Sequence, residues 1–319
     1  AYWQKDSKDL VLEVPTAPGL GIPNNSYFDN IGKIRNSGIE LTVGSTVIRT
    51  KDWQWQTDIN FSTAHNEVLK LYSGNDIVDS YTIIREGESY RSLYGYDYYG
   101  VNMANGNPIW RKADGTLVQL DTFGSNKYVV YDANNPNDVS QVSSLTDEDR
   151  KVLGSTMPTW YGGWSNTVTF KNFDLNVFFR FSGGNKIMNA TRQNSLMNMD
   201  FANNGVEILG RWVSPEQPGD GMTPKIGSGV SFVGNYTDSH YVEDADCLKL
   251  ANLARGYTFP KKWLQPIGLS NIRLYIQGQN LFTITGYSGL DPETNSRLGV
   301  DLNGMPQQRS FTFGANITF

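Results

Sequence analysis

The chain has 319 residues, with 27 Lys and Arg against 32 Asp and Glu, a net charge of −5 and an isoelectric point near 5.2. Nothing basic recruits nucleic acid or an anionic lipid surface by charge alone. Mean hydropathy is −0.43, and no apolar run approaches the ~18 residues of a spanning helix; this excludes a helical membrane protein but not a β-barrel, whose strands are only half apolar.

Charged residues make up 18% of the chain, below the ~25% of ordinary soluble domains, while aromatics make up 13%. With 32 Gly and 30 Asn, the composition points to strands and turns. A single cysteine, Cys247, rules out an internal disulfide, and the two histidines, His65 and His240, starve most metal and acid–base chemistries. Asp238-Ser239-His240 is triad-like only on paper, because sequence neighbours rarely face one another and triads assemble from distant segments. No enzyme is expected. The chain opens on strand-like residues with neither an initiator Met nor a leader, and is expected to be part of a longer protein.

In chain order, the clearest signal is alternation with period two. Weak segments fall at 1–12 and 34–48. From Trp53, WQWQTDINFS sets Trp53, Trp55, Ile59 and Phe61 against Gln54, Gln56, Asp58, Asn60 and Ser62. Further weak segments fall at 80–86, 89–101 and 160–170. FDLNVFFRFS sets Phe173, Leu175, Val177, Phe179 and Phe181 against Asp174, Asn176, Arg180 and Ser182. After 246–259 comes NIRLYIQGQN, with Ile272, Leu274 and Ile276 opposite Arg273, Tyr275, Gln277 and Gln279. The closing FTFGANITF sets Phe311, Phe313, Ala315, Ile317 and Phe319 against Thr312, Gly314, Asn316 and Thr318.

These make about ten strands, most near the ~9–11 residues of a tilted bilayer-crossing strand. Short connections (49–52, two residues after 86, 171–172) alternate with long ones (roughly 13–33, 102–159, 184–245, 283–306), the layout of an outer-membrane barrel. A soluble β-sandwich also alternates, but its polar faces carry Lys, Glu and Arg rather than Asn, Gln, Thr and Ser. Within the longest loop, 187–212 has spaced apolar residues and is expected to hold one or two helices, with Met188, Met197 and Met199 as packing.

Several segments together resemble SusC/RagA-like TonB-dependent outer-membrane transporters of Bacteroidetes. They are IRNSGIELTVGSTVIRTKDWQWQTDINFSTAHNEVLKL, GWSNTVTFKNFDLNVFFRFSGGNKIMN, RWVSPEQPGD, YVEDADCLKLANLARGYTFPKKWL and IRLYIQGQNLFTITGYSGLDPE, in that order. The resemblance implies an all-β transmembrane antiparallel barrel with long extracellular loops, of which residues 1–319 are a C-terminal portion. It further implies a plug domain and TonB box elsewhere in the protein. It also implies import of oligosaccharides or peptides with a SusD-like surface lipoprotein, TonB and the lipid bilayer as partners, in a dimer of transporter–lipoprotein pairs. A passive porin or a glycan-binding sandwich stands as the alternative.

For such a protein Trp53, Trp55, Trp160, Trp164, Phe311 and Phe319 fit strand ends at headgroup level. Phe319 resembles the terminal assembly signal of outer-membrane barrels. Loop aromatics Trp110, Tyr128, Tyr131 and Tyr287 are candidates to stack on cargo. The loop YDANNPNDVSQVSSLTDEDRKVLG resembles a degenerate calcium loop, with Asp132, Asn134, Asp138 and Asp149 as oxygen donors, although its turn glycine is missing and Pro136 intrudes.

Overall fold

The computed structural model describes residues 1–15, 19, 23, 26–71, 74–121, 124–197, 203–226, 237–293 and 299–319. Eight strands form one antiparallel wall in which chain order is spatial order. They are β1 (Tyr2–Pro15), β2 (Ser26–Arg49), β3 (Trp53–Thr63), β4 (Trp160–Phe170), β5 (Phe173–Gly183), β6 (Cys247–Thr258), β7 (Asn271–Thr285) and β8 (Ser310–Thr318). Among the described residues no helix is long and apolar enough to cross a bilayer.

Register places every apolar set on the same side. Phe61 faces Leu41 and Gly162, and Ile59 faces Val43 and Trp164. Trp164 faces Phe179, Val177 faces Leu253, and Ile276 faces Arg255 and Phe313. Among the described residues no second layer covers this side: Leu41, Val43, Ile59, Trp164, Leu274, Ile276, Phe311 and Phe313 are all exposed. A single-layer sheet with an uncovered apolar face is stable only where the surroundings are themselves apolar.

Aromatic residues close this face at both ends. At the short-turn end Trp53 lies 4.3 Å from Phe170, and Phe173 lies 4.6 Å from Tyr257. Lys171 and Arg255 sit over the Phe170 and Phe173 rings at 5.3 and 5.6 Å, where the cations still reach water. At the other end Phe181 packs against Phe61 and Trp160. Eight residues along β3 separate the two rows, roughly 20 Å for a tilted strand. Trp164 departs from the strand-end expectation. It lies mid-strand, where its indole N–H donates to Thr57 Oγ1 at 2.9 Å, while Trp55 donates to Asn166 Oδ1 at 3.1 Å. Thr57 and Asn166 oppose each other on the apolar face, so this polar pair is satisfied by flanking tryptophans.

The opposite side of the wall is polar and bonded to itself. Asn176 donates to Thr167, Asn252 to Asn176, and Gln277 to Asn252, a ladder across β4 to β7. Arg273 grips Asp174 with both ends of its fork, crossing β6 at Gly256. A Cβ there would lie 2.5 Å from both partners.

Short turns, residues 50–52 and 171–172, and the 259–270 connection with its one-turn helix Lys261–Leu264, lie at one end. The long connections lie at the other and build their own body. One expectation is corrected here: 80–86 and 89–101 are not a barrel hairpin. Thr82–Ile84 and Ser92–Val101 belong to a separate eight-stranded sheet made by the 64–159 excursion, which Thr237–Asp238 joins. The wall thus has eight strands, with His65–Leu71 pairing on the outer stretch of β2. A three-stranded sheet of Lys186–Asn189, Val242–Asp244 and Val300–Asp301 ties two further loops together. Leu93, Met188, Ala190, Met197, Tyr241 and Val300, drawn from all three long loops, form one buried core.

The helices expected in 187–212 are also corrected. Among the described residues only single turns form, Arg192–Leu196 and Val206–Gly210, because an Asn- and Gly-rich stretch is held by the loop core rather than by helix periodicity. Met199 lies outside the described residues.

Candidate functional site

The polar face of the wall meets the loop body at a cavity of about 470 Å³. Its wall side is Asn60, Tyr161, Gly163, Phe178, Arg180 and Ser182, and Thr156, Pro158, Asn185, Ala245, Pro292 and Glu293 close it from the loops. Period-two alternation aims Tyr161, Phe178, Arg180 and Ser182 to one side. Gly163 makes room for a ring, since a Cβ there would lie 2.8 Å from Phe178.

One strap of the loop after β7 is clamped onto this face. Lys249, only 2% exposed, donates to Asp291 Oδ1 at 2.7 Å and also pairs with Glu293, which in turn pairs with Arg180. Asp291 further accepts the Glu293 N–H. Burial raises the Asp291 carboxyl, and the Lys249 bond and backbone N–H groups outweigh it, leaving its pKa below the usual value. Two cations and two carboxylates therefore neutralise one another where β5 and β6 reach the loops.

A second cavity of about 390 Å³ opens farther out, lined by Asn189, Arg192, Leu196, Val206, Glu207, Leu290 and Asp301 among others. Its rim is apolar and exposed: Val206 and Leu290 are 81% and 71% exposed, and Leu209 and Met305 are exposed nearby in sequence.

The four loop aromatics do not form one surface. Trp110 is 4% exposed; its N–H donates to Asp238 Oδ2 at 2.7 Å, and its ring meets Tyr98 and Tyr128 edge-on. Tyr287 is 5% exposed and donates to Asp301. Both rings are taken up inside the loop body, which corrects the expectation of open stacking platforms there. Tyr128 and Tyr131 remain half-buried. The calcium set does not converge either. Asp132 accepts the Asn134 N–H, Asp138 accepts the Ser140 N–H, and buried Asp149 is spent on Thr146 and the Ala113 N–H. Among the described residues no group of three or more acidic, His or Cys side chains is placed to hold a metal. Phe319, on the apolar side of β8, is exposed at the short-turn end.

The triad-like run also resolves structurally. Asp238 accepts the His240 backbone N–H rather than its ring, and Ser239 Oγ accepts the Tyr98 N–H. The His240 ring packs on Tyr98 and Tyr241 beside Arg192, which is paired with Glu207 and Glu243. Burial pushes Asp238 up to about 6 and His240 down to about 4. Cys247 is buried with Sγ 3.5 Å from Ser182 Oγ.

Sequence reasoning missed the Lys249–Asp291–Glu293–Arg180 clamp. The available signal was charge at polar-face positions near the loop ends of strands that carry few charges.

A two-faced wall with turns at one end and a loop body at the other defines a membrane-spanning β-barrel segment. No family model matches the chain. Over its whole length it is 32% identical to a TonB-dependent receptor of Formosa agariphila, covering 32% of that protein, and 26% identical to the TonB-dependent receptor SusC of Bacteroides thetaiotaomicron, covering 29%. The RagAB peptide importer in its closed-closed state superposes over the whole chain with a TM-score of 0.80 at 23% identity, and the open-open state with 0.76. The chain spans about a third of the length of the relatives and structures it matches. It is similar end to end to SusC/RagA-like TonB-dependent receptors, and its fold is that of their barrel.

Proposed function

We propose that this chain is the C-terminal wall of an outer-membrane TonB-dependent importer of the SusC/RagA kind. In this reading the apolar face meets lipid and the polar face lines the lumen. The observation that carries it is the uncovered apolar face, bounded by aromatic rows at bilayer height, in a chain similar throughout to such receptors. Beyond Glu40, β2 has no partner on its outer edge among the described residues, and β8 pairs only with β7. Barrels abolish such edges by closure. The remaining strands, plug and TonB box would come from the rest of the receptor. Phe319, at the end of β8, would serve as the assembly signal.

The cargo is an oligosaccharide or peptide too large for passive diffusion, taken in with a SusD-like lipoprotein. The exposed Leu196, Val206 and Leu290 around the outer cavity suit contact with such a lid. Solubilising the outer membrane in mild detergent, capturing this chain and identifying its companions by mass spectrometry tests the reading. A contiguous plug-bearing part and a SusD-like lipoprotein are expected. Recovery from the soluble fraction with neither would overturn it.

A further inference from the structure

Arg255 breaks the pattern of the apolar face. In register it lies between Leu175 and Ile276, with Leu253 and Tyr257 two residues to either side, so it belongs to the lipid-facing set. Its guanidinium sits over the Phe173 ring at 5.6 Å, at the short-turn end. Lys171, in the two-residue turn, sits over Phe170 at 5.3 Å, and Phe170 and Phe173 are register partners at the end of that hairpin. Two cations therefore stand over neighbouring rings on the apolar side. Both are exposed, and among the described residues no carboxylate pairs with either. The nearest acid in register, Asp174, lies on the other face and is held by Arg273. On the adjacent 50–52 turn Lys51 and Asp52 cancel in charge. The aromatic row continues outward: Phe259 meets Tyr257 at 5.2 Å, and exposed Trp263 lies 6.2 Å from Phe259. The 259–270 connection that carries them has two exposed lysines, Lys261 and Lys262, and no acid. An open cavity of about 490 Å³ lies between this connection and the 171–172 turn, with Lys171 and Lys261 both on its wall and Asp174 as its one acid. In a chain of net charge −5, this end of the wall is locally cationic.

We propose that Arg255 and Lys171, with Lys261 beside them, hold the phosphate of an anionic phospholipid in the leaflet at the short-turn end. The guanidinium offers parallel N–H donors to two phosphate oxygens, and the ammonium adds a point charge. The acyl chains continue along Leu175, Leu253 and Ile276, and Trp263 lies at headgroup depth. An arginine on a lipid-facing strand is tolerated near the interface, where it reaches such a partner. A zwitterionic headgroup would bring its own ammonium into a cluster with no free carboxylate to receive it. The assignment rests on the reading of the apolar face as lipid-facing.

The test uses the full receptor with its companions, purified from the outer membrane and delipidated in detergent. Native mass spectrometry measures retention of phosphatidylglycerol and of phosphatidylcholine, added in turn. The variants are Arg255→Gln, Lys171→Gln and the two combined, with Lys51→Gln as a control cation on another short turn. A cation at a lipid surface contributes about fivefold in affinity for an anionic lipid. Each single variant is therefore expected to lower the preference for phosphatidylglycerol about fivefold and the pair about 25-fold, with Lys51→Gln unchanged. Unchanged recovery from the outer membrane, with the same companions, certifies that the variants fold. Equal retention of the two lipids by the wild type, or a preference indifferent to both variants, would overturn the site while leaving the importer reading standing. Equal affinity for glycerol phosphate, which carries the anion without the chains, would also overturn it. Recovery of the wild-type protein from the soluble fraction, read before any lipid is added, would instead remove the membrane reading and the site with it.

Discussion

Asp238 and His240 sit two residues apart in the loop body and titrate in opposite senses. Burial raises the Asp238 carboxyl from 3.8 to about 6, against hydrogen bonds from Trp110 and the His240 N–H. Its contribution to stability is complete below pH 3.8 and is lost as pH rises through 6. Burial, with Arg192, lowers His240 from 6.5 to about 4, against Glu207, Asp220 and Glu243. Its contribution is complete above pH 6.5 and is lost as pH falls through 4. A tenfold change in proton affinity is worth about 1.4 kcal/mol, so the two slopes nearly offset between pH 4 and 6.5. Asp238→Asn is expected to make the loop body acid-labile across that window, and His240→Gln to make it more stable on acidification. Hydrogen exchange of the 237–244 segment at pH 7.5, 5.5 and 4.5 reads both. The side chains of this cluster were not legible in sequence, because Trp110 reaches Asp238, and Tyr98 reaches His240, only through the folding of separate loops.

At the scale of elements, the wall strands carry their own proof. WQWQTDINFS and FDLNVFFRFS were readable because a single-layer wall between lipid and water leaves one residue in two apolar, and register preserves that choice across neighbours. The exceptions, Thr57 and Asn166, are explained by the tryptophans that bond them. Thr57→Val leaves the Trp164 N–H bare in an apolar medium and is expected to cost about 1–2 kcal/mol. Trp164→Phe combined with it should recover part of that loss, a coupling of about 1 kcal/mol in denaturant unfolding of the micellar receptor. The strap Asp291–Glu293 is governed by charge rather than periodicity. Lys249→Met strips buried Asp291 of its cation and leaves half-buried Glu293 with Arg180 alone, and is expected to cost about 3–5 kcal/mol locally. Faster hydrogen exchange over 286–293, with wall strands unchanged, would show it; unchanged exchange there would mean that the clamp does not hold the strap.

For the whole molecule, the division into wall and loop body decides what could be read in advance. The short turns and wall strands follow local patterns, and the fold class followed from them. The excursion 64–159 did not, because 80–86 and 89–101 alternate like wall strands while pairing in a sheet of their own. Alternation reports a half-buried strand, not the sheet that buries it. Two of the four expected stacking aromatics, Trp110 and Tyr287, are buried for the same reason: loops this long build a core.

The central claim is that one face of the wall meets lipid and the other a watery lumen. Single cysteines placed in turn at 174–181 in a Cys247→Ser background, spin-labelled in the full receptor in outer-membrane vesicles, test it most directly. The account predicts period-two alternation of collision rates. Oxygen would be favoured at 175, 177, 179 and 181, and a water-soluble nickel chelate at 174, 176, 178 and 180. Uniform access of the chelate to both sets would contradict it.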